Sequence, residues 1–153
     1  MPPSTDHYDA RILIVDDEPA NVRLLEHTLK RGGFVEVSST GDPHEVVALH
    51  VKNHYALIVL DLQMPEMDGY EVMEQLQGIA ATDPVAILVM SADQTQAATA
   101  VEAGATSFLA KPFVLAEVVA RVSEILESTG GDKSEGGRQK EKAEGRRQKS
   151  EVG

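Results

Sequence analysis

Residues 55–69 read YALIVLDLQMPEMDG. Residues 56–60, ALIVL, are apolar without a break and rich in Leu, Ile and Val. A run this short and this continuous is how a strand covered on both faces reads, and such strands are usually parallel. Asp61 follows at once, a carboxylate at the end of an element that reads as fully buried. An ionised carboxylate there is costly unless something compensates its charge. The fold therefore has to bring a partner to Asp61, and the rest of the chain indicates which.

Four more segments have strand character: RILIV at 11–15, FVEVSS at 34–39, VAILVM at 85–90 and, more weakly, TSFLA at 106–110. The first and third are continuously apolar like 56–60, whereas 34–39 alternates, which suits an edge position. Helical patterns lie between them. Residues 19–31 place Val22, Leu25 and Leu29 on one stripe with Leu24 beside it; Pro19 suits the first turn and Gly32 the stop. Residues 43–53 follow Asp42 as N-cap, with Pro43 at the first helical position and Glu45 three after the cap, the spacing of a capping box. Residues 67–79 carry Met67, Tyr70, Val72, Met73, Leu76 and Ile79. Residues 94–103 are alanine-rich and end at Gly104, and residues 113–127 carry Val114, Leu115, Val118, Val119, Val122, Ile125 and Leu126. Strand then helix, repeated five times, specifies an α/β domain: a doubly wound five-stranded parallel sheet with helices on both faces.

Composition sets the outer bounds. A chain of 153 residues suits one domain with a core of its own. The absence of cysteine excludes disulfides, thiolate chemistry and cysteine zinc sites. No apolar run approaches the ~20 residues of a membrane span, and the N-terminus lacks the basic-then-apolar order of a secretory signal; a soluble cytoplasmic protein is expected. The net charge of −11 argues against nucleic-acid binding. That charge is uneven: residues 1–129 hold seven Lys/Arg against 20 Asp/Glu, and residues 130–153 hold seven against five. The expected organisation is an N-terminal lead at 1–9, a domain at 10–129 and a polar tail at 130–153 too poor in apolar residues to order itself.

Ligands of doubly wound sheets sit at the carboxyl ends of the strands. There this chain places Asp16 and Asp17 after the first strand, Asp61 after the third, Ser91 after the fourth, and Lys111 and Pro112 after the fifth. Three carboxylates together repel one another. A hard divalent cation such as Mg²⁺ (Mn²⁺ as the alternative) resolves this with oxygen ligands and keeps room for a further anion. Lys111 adds an ammonium and Ser91 a hydroxyl. A cation, an ammonium and a hydroxyl around one carboxylate suit an incoming phosphoryl group, with Asp61 as the nucleophile that becomes an acyl phosphate.

The segments ILIVDDEPAN, LIVLDLQMPEMDGYE, VMSAD and FLAKPF, in this order, resemble the receiver domain of two-component response regulators over about residues 10–127. The resemblance implies a flavodoxin-like (βα)5 fold. Asp61 matches the phosphoacceptor, Asp17 a direct metal ligand and Asp16 an acidic partner holding the metal through water. Gln63 matches the position whose backbone carbonyl binds the metal. Ser91, a common alternative to threonine, matches the hydroxyl that follows the phosphoryl group, and Lys111 matches the family lysine, with a cis bond to Pro112. Phe108 matches the aromatic that rotates inward on activation, while Gln63 and Asp93 match positions that tune self-dephosphorylation. The implied protein is not an enzyme beyond Mg²⁺-dependent self-phosphorylation from small donors and self-dephosphorylation. Its partners are a sensor histidine kinase or histidine phosphotransfer protein and a downstream protein contacting the helix 4–strand 5–helix 5 face. With no output module recognised after residue 129, a single-domain regulator acting by protein contact or phosphorelay is expected.

Two rivals share parts of this pattern. A haloacid-dehalogenase-type phosphatase also places a nucleophilic Asp after a strand, but it needs a second aspartate two residues on, where Gln63 stands. A receiver-like module that is never phosphorylated would have less need of the acidic trio and Lys111. His50 and His54 have the i, i+4 spacing of a metal pair without a third ligand, and are expected to be solvated.

Overall fold

The computed structural model describes residues 8–62 and 69–135. Five parallel strands, β1 (Arg11–Val15), β2 (Glu36–Thr40), β3 (Leu57–Asp61), β4 (Ala86–Ser91) and β5 (Ser107–Ala110), form one sheet in the order β2-β1-β3-β4-β5. The intervening helices are α1 (Pro19–Arg31), α2 (Val46–Asn53), α3 (Gly69–Gly78), α4 (Ala97–Glu102) and α5 (Leu115–Glu135). This is the flavodoxin-like order, and the expected α/β architecture is present in full.

The continuous apolar runs are explained by the period of two along a strand. Ile12, Ile14, Leu57, Val59, Leu88 and Met90 face one way, onto Leu25 and Leu29 of α1 and Val118, Val122, Ile125 and Leu126 of α5. Leu13, Val15, Ile58, Leu60, Ile87 and Val89 face the other way, onto Val46 of α2, Val72, Met73 and Leu76 of α3 and Ala100 of α4. The central strands are covered on both sides, so neither of their faces can be polar. β2 is the edge strand that its alternation implied.

Several local expectations are corrected. Leu24 lies on the exposed side of α1, outside the stripe of Leu25 and Leu29. α1 does stop at Gly32, as expected; Gly32 keeps a helical backbone and Gly33 takes the left-handed one, at φ 109°. Asp42 does cap the next element, its carboxylate accepting the His44 N–H at 2.9 Å. No capping box closes, because Thr40 Oγ1 accepts the Asp42 N–H and donates to Glu45 Oε1 at 2.8 Å. The segment then splits into a 3₁₀ turn, Pro43–Glu45, followed by α2. A 3₁₀ turn, Gln94–Gln96, likewise precedes α4. α5 spans Leu115–Glu135, running past the helical pattern expected over 113–127. Glycines 130 and 131 each cost about 1 kcal/mol in a helix without forbidding it, and no proline stands there to stop propagation.

His50 is not solvated: it is 1% exposed at the amino-terminal edge of the sheet. The Tyr55 N–H donates to Nδ1 at 3.1 Å, so Nε2 carries the proton and donates to the Asp83 carbonyl at 3.0 Å. The Tyr55 ring stacks on the imidazole at 6.1 Å between centroids. This one side chain ties the end of α2, the entry to β3 and the approach to β4. His54, exposed, pairs with Asp83 Oδ1 at 3.1 Å.

Candidate functional site

Strand order decides where the site lies. β2 stands on one side of β1, and β3, β4 and β5 on the other. The change of direction between β1 and β3 opens a crevice at their carboxyl ends. Val15 of β1 pairs in register with Leu60 of β3, so the next residue of each strand, Asp16 and Asp61, comes level there. Leu60 and Asp61 pair with Val89 and Met90 of β4, bringing Ser91 to the same edge. Ser91 in turn pairs with Ala110 of β5, and Lys111 follows.

The carboxylates converge as the sequence implied. Asp16, Asp17 and Asp61 each offer one oxygen, all within 4.8 Å of one another. Asp16 and Asp61 are buried and Asp17 is exposed. Asp16 Oδ1 accepts the Glu18 N–H at 2.9 Å, which fixes the side chain at the entry to α1. Asp16 Oδ2 is buried with no hydrogen-bond partner. A buried carboxylate oxygen left short of a donor is costly, and here it faces two further carboxylates. An all-oxygen donor set with an unsatisfied buried member fits a hard divalent cation of the Mg²⁺ or Mn²⁺ kind. The geometry therefore supports a divalent-cation site at these three residues.

The cationic side is also in place. Lys111 Nζ lies 3.5 Å from Asp61 Oδ1. Its backbone is held by Lys111 N–H donating to Ser91 O at 2.9 Å, and the Lys111–Pro112 bond is cis, as the resemblance implied. Ser91 is buried, and its Oγ accepts the Asp93 N–H at 3.0 Å, leaving the hydroxyl proton to donate elsewhere. Phe108 is partly buried against the α2–α3–α4 side of the core. Gln63 lies outside the described residues.

Asp93 has a second task. Its carboxylate caps the turn before α4, accepting from the Thr95 hydroxyl, the Thr95 N–H at 3.0 Å and the Gln96 amide at 3.4 Å. These bonds, the Thr95 hydroxyl first, hold its pKa below the ordinary value of 3.8.

Two supports escaped sequence reading. A Cβ on Gly69 would stand 2.9 Å from Leu62 Cα and 3.1 Å from the Asp61 carbonyl oxygen. Glycine is therefore what lets α3 start directly against the phosphoacceptor candidate, with the Gly69 N–H donating to Leu62 O at 3.0 Å. The sequence pattern places Gly69 inside the helical segment 67–79 and carries no sign of this approach. Arg121 of α5 donates to Phe108 O at 2.8 Å and to Ser107 Oγ at 2.9 Å, fixing α5 to β5. Nothing in the sequence separates it from a surface arginine paired with Glu117.

Among the described residues no helix is long and apolar enough to cross a membrane. Residues 12–123 match the model of the response regulator receiver domain. The transcriptional regulatory protein SrrA of Staphylococcus aureus is 40% identical over 118 residues, which are 77% of this chain and 48% of SrrA; the chain thus matches about half of that relative's length. The solved chemotaxis response regulator CheY4 of Vibrio cholerae is 26% identical with a TM-score of 0.68, over 76% of this chain and 98% of its own. The signal receiver domain of a signal transduction histidine kinase from Syntrophus aciditrophicus is 27% identical with a TM-score of 0.69, over 78% of this chain and 91% of its own. The names of these relatives set similar domains in three contexts: transcriptional control, chemotaxis and a signal transduction histidine kinase. By sequence match and by fold, the chain belongs to the response regulator receiver domain family.

Proposed function

We propose that this receiver accepts a phosphoryl group on Asp61 from a sensor histidine kinase or a histidine phosphotransfer protein. The observation that carries the reading is the buried, unpartnered Oδ2 of Asp16 in the Asp16, Asp17 and Asp61 cluster, with Lys111 Nζ 3.5 Å from Asp61 Oδ1. Asp16, Asp17 and Asp61 would hold Mg²⁺, with Mn²⁺ as a substitute, and Gln63 is the further candidate through its carbonyl. Bound there, the cation supplies charge compensation for the carboxylates and for an arriving phosphate.

In transfer, an Asp61 carboxylate oxygen attacks phosphorus as the bond from phosphorus to the donor imidazole nitrogen breaks. The electron pair stays on that nitrogen. The Lys111 ammonium, already beside Asp61, neutralises a phosphoryl oxygen, and the Ser91 O–H turns to donate to another. Drawing Ser91 toward the phosphoryl group moves the segment after β4, and the space it vacates admits the Phe108 ring. Phosphorylation thus shifts a pre-existing equilibrium rather than creating a new state. The altered face is α4–β5–α5, where a downstream protein would read it, by contact or by onward phosphorelay. Catalysis by this chain is limited to its own phosphorylation and dephosphorylation, and a cytoplasmic setting matches such a donor. SrrA is a transcriptional regulatory protein; this chain is proposed to act through protein contact.

Intact mass after treatment with acetyl phosphate and Mg²⁺ tests this. One phosphoryl adduct is expected, absent without Mg²⁺ and absent in Asp61→Asn. An adduct of unchanged yield in Asp61→Asn would remove Asp61 from the reading, and steady release of phosphate without an adduct would favour the phosphatase alternative.

A further inference from the structure

The segments that follow Asp61 and Ser91 are joined by a hydrogen bond that sits outside the site itself. Tyr70, the second residue of α3, donates its hydroxyl proton to Gln96 Oε1 in the turn before α4. The Gln96 amide donates to Asp93 Oδ2, and the Asp93 N–H donates to Ser91 Oγ. The α3 end of this chain is pinned, because the Gly69 N–H bonds Leu62 O immediately beyond Asp61. The Tyr70 ring is also packed on the α2–α3–α4 side of the core. The other end is the serine whose hydroxyl has to turn toward Asp61 when a phosphoryl group arrives. A displacement of residues 91–96 that carries Ser91 toward Asp61 therefore shifts Gln96 relative to an anchored tyrosine.

We propose that the Tyr70–Gln96 hydrogen bond restrains residues 91–96 in their unphosphorylated placement and so limits how fast Asp61 takes up a phosphoryl group. The proposal rests on Asp61 being the phosphoacceptor. Tyr70 and Gln96 act as positioning residues, through Asp93 and Ser91. One neutral hydrogen bond held in one state and lost in the other shifts an equilibrium by about threefold to tenfold, so the bond acts as a brake and not as a lock.

The test measures the rate of adduct formation with acetyl phosphate and Mg²⁺ in the parent, Tyr70→Phe, Gln96→Ala and the double variant. Tyr70→Phe keeps the ring that packs on the core, and thermal unfolding confirms that each variant is folded. Each single variant is expected to label about threefold to tenfold faster at unchanged Mg²⁺ affinity. The double variant should be no faster than the faster single one, because both remove the same bond. A rate in Tyr70→Phe equal to or below the parent's overturns the brake, as do additive effects in the double variant. Absence of any Asp61 adduct in the parent overturns the phosphoacceptor reading and the brake together, an outcome distinct from a labelled parent with indifferent variants.

Discussion

Asp16 and His50 are equally buried, each 1% exposed, at opposite edges of the same sheet. Their hydrogen bonding differs. Both ring nitrogens of His50 are used, one accepting from Tyr55 N–H and one donating to the Asp83 carbonyl. Asp16 has one oxygen committed to Glu18 N–H and the other without a partner. A buried polar group that is fully satisfied holds the fold together, whereas one left short marks a place prepared for something else. The amino-terminal edge is finished by protein atoms alone. The carboxyl-terminal edge leaves a carboxylate oxygen that protein atoms do not satisfy, where the proposed cation would sit.

That contrast predicts opposite responses to substitution. Asp16→Asn removes a charge whose outer oxygen is unpaired and which repels Asp17 and Asp61. Mg²⁺ affinity should fall by about 10–100-fold, read by titration, and labelling by acetyl phosphate should fall with it. Yet the metal-free protein should be no less stable than the parent, and more stable by up to about 1 kcal/mol. A metal-free Asp16→Asn protein clearly less stable than the parent would show that Asp16 is structural after all.

His50→Ala should do the reverse. It strands the Tyr55 N–H and the Asp83 carbonyl and leaves a gap under the Tyr55 ring, a loss of about 2–4 kcal/mol in denaturant unfolding. Mg²⁺ affinity and the amount of Asp61 adduct at saturation should stay at the parent level while the protein is folded. A large fall in Mg²⁺ affinity without loss of stability would couple the two edges and break the comparison.

The smallest effect belongs to Asp93, which stands between the two cases, a carboxylate fully satisfied at the functional edge. Its folded pKa is depressed below 3.8 by the Thr95 hydroxyl first, then the Thr95 N–H and the Gln96 amide. A depressed folded pKa stabilises above the unfolded value and loses that contribution as pH falls through the folded one. Asp93→Asn should therefore be slightly less stable than the parent near neutrality, by a constant offset, and the gap should close as pH falls below about 3.8. A stability difference between parent and variant that grows from neutral to alkaline pH would contradict the cap.

Much of this molecule was legible in the chain. Runs such as ILIV and LIVL required strands covered on both faces, and their alternation with helical stripes required a doubly wound sheet. Once the strands are parallel, Asp16, Asp17, Asp61, Ser91 and Lys111 have to meet at one edge, so the candidate site was readable from position alone. Other features came only with tertiary structure. The i, i+4 pair of His50 and His54 looks the same whether it faces water or a neighbouring loop, and it is Asp83, 33 residues beyond His50, that decides. Gly69 reads as one more position of a helical segment until the Leu62 backbone is seen against it. Arg121 and Gln96 read as surface residues until Phe108 and Tyr70 come alongside. Local pattern determines which elements form and which of their faces are apolar, because propensity and burial act within a few residues. Which polar side chain is satisfied, and which is left waiting for a ligand, depends on groups far apart in sequence, and only the packed fold brings them within hydrogen-bond reach.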